Sequence, residues 1–94
     1  MDSTFGWDEH KARKNFRDHN VSFEEAKTVF NDPFAITIPD LEHSIGEYRY
    51  IDIGRSSQGR ILVVVYTERE PNIRIISSRE AIKSERRKYE EGGF

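Results

Sequence analysis

The sequence contains no cysteine. Disulfides and thiolate metal sites are therefore excluded, which accords with a reducing, cytoplasmic setting. Its only imidazoles are His10, His19 and His43. No two of them stand at a spacing, such as i and i+4, that lets one helix face hold a metal, so neither a metal nor another cofactor is expected. Long apolar runs are missing too. The longest, Ile61-Leu62-Val63-Val64-Val65-Tyr66, is far shorter than the roughly 20 residues that span a bilayer, and no membrane role is expected. Met1-Asp2-Ser3-Thr4 lacks the basic segment and apolar stretch of a secretory signal. The chain has no phosphate-binding glycine loop, dinucleotide fingerprint or nucleophile elbow. Ser56-Ser57 falls in a turn with no base beside it.

What remains is a polar chain with a real core. Of its 94 residues, 35% are hydrophobic and 34% charged. That length fits one domain, residues 1–94. A domain this small buries only about 60–65% of its unfolded surface, so a bound partner would add to its stability. The net charge of −2 argues against a nucleic-acid binder, but the charges are segregated. Asp18 to Asp52 holds eight acids and two bases, whereas Arg60 to Tyr89 holds eight bases and four acids. One half is suited to a polyanion and the other to a basic partner, although solvated surfaces also vary in this way by chance.

Local signals divide the chain into a short strand, two helices, four strands and a helix. Phe5-Gly6-Trp7 reads as the first strand, and Trp7 is expected to pack. Asp8 is an N-cap for a helix ending at Asn20 in the left-handed region. The helix carries a narrow stripe of Ala12, Asn15, Phe16 and His19. Ser22 and Glu25 form a capping box, flanked by a Val21–Ala26 staple. Phe23, Ala26, Val29 and Phe30 supply that helix's buried face until Pro33 stops it. The period then changes to two: Phe34–Ile38, Tyr48–Ile53, Arg60–Thr67 and Ile73–Ser78 read as strands. Ser77 and Glu80 form a second capping box, opening a C-terminal helix to about Glu90 with Ile82, Arg86 and Tyr89 along one side. Gly92-Gly93-Phe94 reads as a frayed tail. Helices gathered beside an antiparallel sheet of about four strands make an α+β fold.

Pairing the hairpins about the centres of their loops sets residue 54 opposite 60 and residue 67 opposite 73. One face then carries Ile51, Ile53, Ile61, Val63, Val65, Ile73 and Ile75, with Glu47, Arg49, Thr67 and Arg79 at its margins, and reads as the core. The other carries Tyr48, Tyr50, Asp52, Arg60, Leu62, Val64, Tyr66, Arg74, Ile76 and Ser78. Aromatic faces stack on unpaired bases and arginine forks bind phosphates, so Tyr50, Tyr66 and Arg74 are candidate RNA-binding residues. Tyrosine and arginine are also ordinary half-buried sheet residues. Arg55, Arg60 and Arg79 fall near one end of the sheet, where guanidinium groups would hold a phosphate or simply be solvated. Glu47 and Arg49 fall toward the opposite end, some 20 Å away at about 3.3 Å per residue. In that register Glu47 cannot serve as base for a phosphate held by Arg60. His19 reads as a packed histidine or a general base.

Several segments, taken in order, resemble the BrnT family of toxins. They are Phe5-x-Trp7-Asp8, Asn15 to His19, Val21-Ser22-Phe23-Glu24-Glu25-Ala26 into Val29-Phe30-x-Asp32-Pro33, and Glu47-x-Arg49. Gly59-Arg60, Val64-Val65-Tyr66-Thr67-x-Arg69, Arg74-Ile75-Ile76-Ser77-x-Arg79-x-Ala81 and Glu85-Arg86-x-x-Tyr89 follow. Asn20 replaces a glycine frequent in relatives, and Ser78 an alanine. The resemblance implies a RelE-like fold, metal-independent endoribonuclease activity and neutralisation by a ribbon-helix-helix (BrnA-like) antitoxin in a hetero-oligomer. In that group the RNA 2′-hydroxyl is the nucleophile, and the protein supplies a base, an acid and cationic clamps. Carried onto this chain, Arg60 and Arg79 become phosphate-binding candidates, Glu47 the base candidate with Arg49 beside it, and His19 and Tyr66 secondary ones. A C-terminal histidine found in some RelE-like toxins is missing, which leaves the acid unassigned. Asp40, Glu42 and Glu47 would meet basic antitoxin surface. The alternatives are a non-catalytic partner-binding or co-repressor module of the same fold, and an RNA binder that does not cleave.

Overall fold

The computed structural model describes residues 4–44, 46–69 and 71–92; Gly93 and Phe94 of the expected tail lie outside them. The elements are β1 (Thr4–Gly6), α1 (Glu9–His19), α2 (Phe23–Lys27) running into a 3₁₀ turn (Thr28–Asn31), and β2 (Ile36–Pro39). A second 3₁₀ turn (Leu41–His43), β3 (Arg49–Arg55), β4 (Ile61–Arg69), β5 (Asn72–Glu80) and α3 (Lys83–Glu90) complete the chain. The α+β class and the order of elements are as expected. The sheet differs: it has five strands in the order β1-β5-β4-β3-β2, and β1 joins it parallel to β5.

The helix signals that depend on neighbouring residues hold. Asp8 accepts a hydrogen bond from Lys11 N (3.1 Å), and Asn20 adopts φ 56° and ψ 32°. Ser22 Oγ accepts from Glu25 N (3.0 Å). The other half of that box fails, because the Glu25 carboxylate turns instead to Arg60 and Ser56. The expected box of Ser77 and Glu80 is overturned outright. Both residues lie in β5, paired with Val65 and Leu62, and ladder pairing outweighs the local capping tendency. The last helix begins after Ile82, whose N–H donates to Glu85 Oε1 (2.9 Å).

The register corrects the expected faces. In the β3–β4 hairpin Gly54 opposes Leu62, two residues from the expected partner, so the alternation survives. The tight turn places Gly59 at φ +83°, a conformation glycine adopts without a Cβ penalty. Between β4 and β5 the pairing shifts: Val65 opposes Ser77, yet Tyr66 opposes Ile75. Ile76 is therefore an extra residue, a β-bulge. It puts Ile73 and Ile75 on the face of Leu62, Val64 and Tyr66, and turns Arg74, Ser77 and Arg79 to the other.

Both faces are covered, and the larger core lies where the tyrosines were expected to be open. There Val21, Phe23, Ala26 and Val29 from α2 and its flanks bury against Leu62, Val64, Tyr66, Ile73 and Ile75, with Trp7 packed at the margin. On the opposite face Ile53, Ile61 and Val63 form a smaller cluster beneath Ala81 and Tyr89. Tyr89 anchors α3 by donating its hydroxyl to Asp32 Oδ2 (2.6 Å).

β1 pairs β5 only through Asn72–Arg74, so the outer edge of β5 beyond Arg74 has no strand neighbour. Asn15, expected on the apolar stripe of α1, fills that role. Its Nδ2 donates to Ser78 O (2.8 Å) and its Oδ1 accepts from Ser78 N (3.0 Å). Nδ2 also donates to Val21 O (2.9 Å). Phe16, on the same expected stripe, is about half exposed. Asn15→Ala leaves three buried backbone groups without this partner, and at about 1 kcal/mol or more for each the expected loss is about 2–4 kcal/mol. Urea denaturation measures it, and a loss below about 0.5 kcal/mol would refute this role.

Candidate active site

The expected pairing of Arg60 with Arg79 does not form. Arg60, just ahead of β4, lies on the α2 side of the sheet. Its guanidinium donates through Nε to Glu25 Oε2 (3.0 Å), through Nη1 to Glu80 Oε1 (3.0 Å) and through Nη2 to Asn20 O (3.0 Å). A further, short contact joins Nη2 to Glu25 Oε1. Arg79 lies on the α3 side, forked onto Glu85 with both contacts at 2.8 Å. Each guanidinium is held by a carboxylate of its own, on opposite faces.

The stacking platform is also inside the molecule. Tyr66 is 5% exposed, and its hydroxyl donates to Asp52 Oδ1 (2.8 Å). Tyr50 stacks on it with ring centroids 5.7 Å apart. Burial pushes the Asp52 carboxyl above its ordinary range, against the hydrogen bonds from Thr37 and Tyr66. Burial, with Asp52 beside it, likewise pushes the Tyr66 phenol upward. Tyr66 and, in part, Tyr50 pack into the larger core rather than standing open on the sheet.

The remaining candidates gather on the α3 side of the sheet, at the Thr67 end. Arg49 opposes Thr67 from one side and Arg74 opposes it from the other. With neighbouring strands about 4.8 Å apart, the two arginines flank Thr67 in a row across three strands. Thr67 is 1% exposed, and its hydroxyl has no hydrogen-bond partner among the described residues. Neither Arg49 nor Arg74 makes a side-chain ion pair among them. Glu47 stands at the same end, paired with Arg69 Nη2 at 2.7 Å. Arg79 lies about 13 Å away along β4, opposite Val63, at some 3.3 Å per residue. Glu47, Arg49, Thr67 and Arg79 were expected together at the margins of one face, and they share it. Arg74 joins them because of the bulge.

His19 is exposed at the end of α1. It lines a groove of about 270 Å³ with Lys11, Lys14, Asn15, Asp18, Ile76 and Ser77. Sequence reasoning did not single out the two lysines or Ser77. The doublet Ile75-Ile76, which breaks the period of two, was the available sign of the bulge. Among the described residues no three histidine, aspartate or glutamate side chains come together as metal ligands, and no helix is long and apolar enough to cross a membrane.

A family model described as the ribonuclease toxin BrnT of a type II toxin–antitoxin system matches residues 7–85. The chain belongs to this family. BrnT membership makes it a toxin of a type II system, which implies a cognate antitoxin. The solved structure of the Brucella abortus ribonuclease toxin BrnT is similar to this one with a TM-score of 0.67 at 21% identity. The match covers 86% of this chain and 99% of that one, and it bears on the fold. No curated protein matches the chain in sequence.

The buried Glu25 carboxylate is held below its ordinary range chiefly by the hydrogen bond from Arg60. Its folded value is depressed, so its contribution is present above the unfolded carboxylate range near pH 4.3 and is lost as pH falls through the lower folded value. Removing one partner of a buried pair costs about 3–5 kcal/mol, and Arg60 keeps some contact with water. Glu25→Ala is expected to cost about 3 kcal/mol at pH 7, with a smaller deficit below pH 4. Chemical denaturation at pH 7 and pH 3 measures both, and equal deficits would contradict this assignment.

Proposed function

We propose that this chain is a metal-independent endoribonuclease that inhibits growth by cutting single-stranded RNA in the cytoplasm, and that a ribbon-helix-helix (BrnA-like) antitoxin neutralises it in a hetero-oligomer. One observation carries the site: Arg49 and Arg74 flank the buried, unpartnered Thr67 hydroxyl across three strands. Two guanidinium forks about 10 Å apart at their backbones, two strand spacings, converge on one phosphate between them, and Thr67 lies beneath it. Guanidinium groups suit the negative oxygens of a phosphorane-like transition state.

The reaction needs no metal because the nucleophile is within the substrate. The RNA 2′-oxygen attacks the adjacent phosphorus, the bond to the 5′-oxygen breaks, and a 2′,3′-cyclic phosphate and a 5′-hydroxyl result. Glu47, at the same end of the sheet as Arg49, takes the proton from the 2′-hydroxyl. The leaving 5′-oxygen takes one from solvent. Arg60 and Arg79 then serve the fold, by tying α2 and α3 to opposite faces of the sheet.

Arg49→Ala with Arg74→Ala is expected to lower cleavage of single-stranded RNA in EDTA by at least about a hundredfold, with the melting temperature unchanged. Arg60→Ala is expected to lower the melting temperature. Full cleavage by the Arg49/Arg74 double variant would place the site elsewhere. Intact RNA with the unmodified protein, with or without ribosomes, would favour the non-catalytic partner-binding module.

A further inference from the structure

The α1–β5 groove adjoins the face of the arginine row at Ser77. Ser77 links them: it lies on the same face as Arg74 and Arg79, and it also lines the groove beneath Lys11, Lys14 and His19. This junction depends on the bulge. Without the extra residue at Ile76, position 77 would point into the larger core and the edge of β5 would be apolar. Asn15 closes the backbone of that edge at Ser78, so the groove floor offers no free strand edge there, and the lysines stand above it. Asp18 is the one acid in the lining, and it faces Arg17 at 3.2 Å. Lys11 and Lys14 make no ion pair among the described residues. They are one helical turn apart and so share one side of α1.

We propose that this groove is a second RNA subsite, in which Lys11 and Lys14 bind backbone phosphates of the same single strand beyond the one held at the arginine row. The inference rests on the cleavage site proposed above. A single strand suits it, because the bulged edge turns the path from the sheet face toward α1, and a flexible backbone follows that turn. The subsite makes the protein favour oligonucleotides long enough to reach from Arg74 past Ser77 to the lysines.

The test uses 2′-O-methyl oligoribonucleotides, which bind but lack the attacking hydroxyl. Affinities of a trimer and a nonamer are measured against salt for the full chain and for Lys11→Ala with Lys14→Ala. Both positions are exposed helix sites where alanine favours the helix, and circular dichroism checks folding. Each phosphate contact on a single strand contributes about 0.7 to the slope of log affinity against log salt. The nonamer slope is expected to fall by about 1.4 and the trimer slope to stay as it was. An unchanged nonamer slope overturns the subsite, as does an equal fall for both lengths. The Arg49→Ala, Arg74→Ala variant is measured in parallel. If it binds the trimer like the unmodified protein, the arginine-row site fails, whereas the length-dependent effect of the lysines still reports the groove.

Discussion

The sheet depends on one side-chain amide. A strand as long as β5 has two edges to satisfy, and β1 covers only the start of the outer one. Asn15 completes the rest by presenting a carbonyl and an N–H to Ser78, in the way a neighbouring strand would. The same amide fixes the turn between α1 and α2 through Val21 O. The position of α1 on the sheet, the entry into α2 and the closure of β5 therefore share one buried group. An apolar residue at position 15 would suit the helix stripe and would leave the strand open.

Two glutamate–arginine contacts, one of them onto the buried Glu25, divide the basic half of the chain. Arg60 is committed to Glu25 and Glu80 on one face, and Arg79 to Glu85 on the other. These cations tie elements of the fold together. Arg49 and Arg74 on the sheet, with Lys11 and Lys14 on α1, make no ion pair among the described residues. A net charge of −2 is thus compatible with a locally cationic track, in which Asp18 and Glu47 are the acids.

Elements set by residues a few positions apart were legible in the sequence. Asp8, Asn20 and Ser22 act within one turn of chain, and the change of period after Pro33 marked the strands. The same logic misread Ser77 and Glu80, because a capping motif competes there with ladder partners twelve and eighteen residues away in sequence. The placement of Glu47, Arg49, Thr67 and Arg79 on one face survived a register error, since a slip of two residues preserves alternation. Arg74 did not survive it, because a bulge shifts alternation by one. Tyr50 and Tyr66 misled for a further reason: half-buried aromatic residues look alike in sequence whether a helix or a ligand covers them, and here they pack into the core beneath α2 and its flanks, while Tyr48 stays exposed.

β2 is the far edge of the sheet, and it ends in Pro39. The N–H of Asp40 points inward, to Arg49 O. By alternation, the missing donor at Pro39 falls on the outward side. An approaching strand from a second molecule therefore finds an edge of only four residues with one of its donor positions empty. This side of the sheet is a poor template for adding a strand.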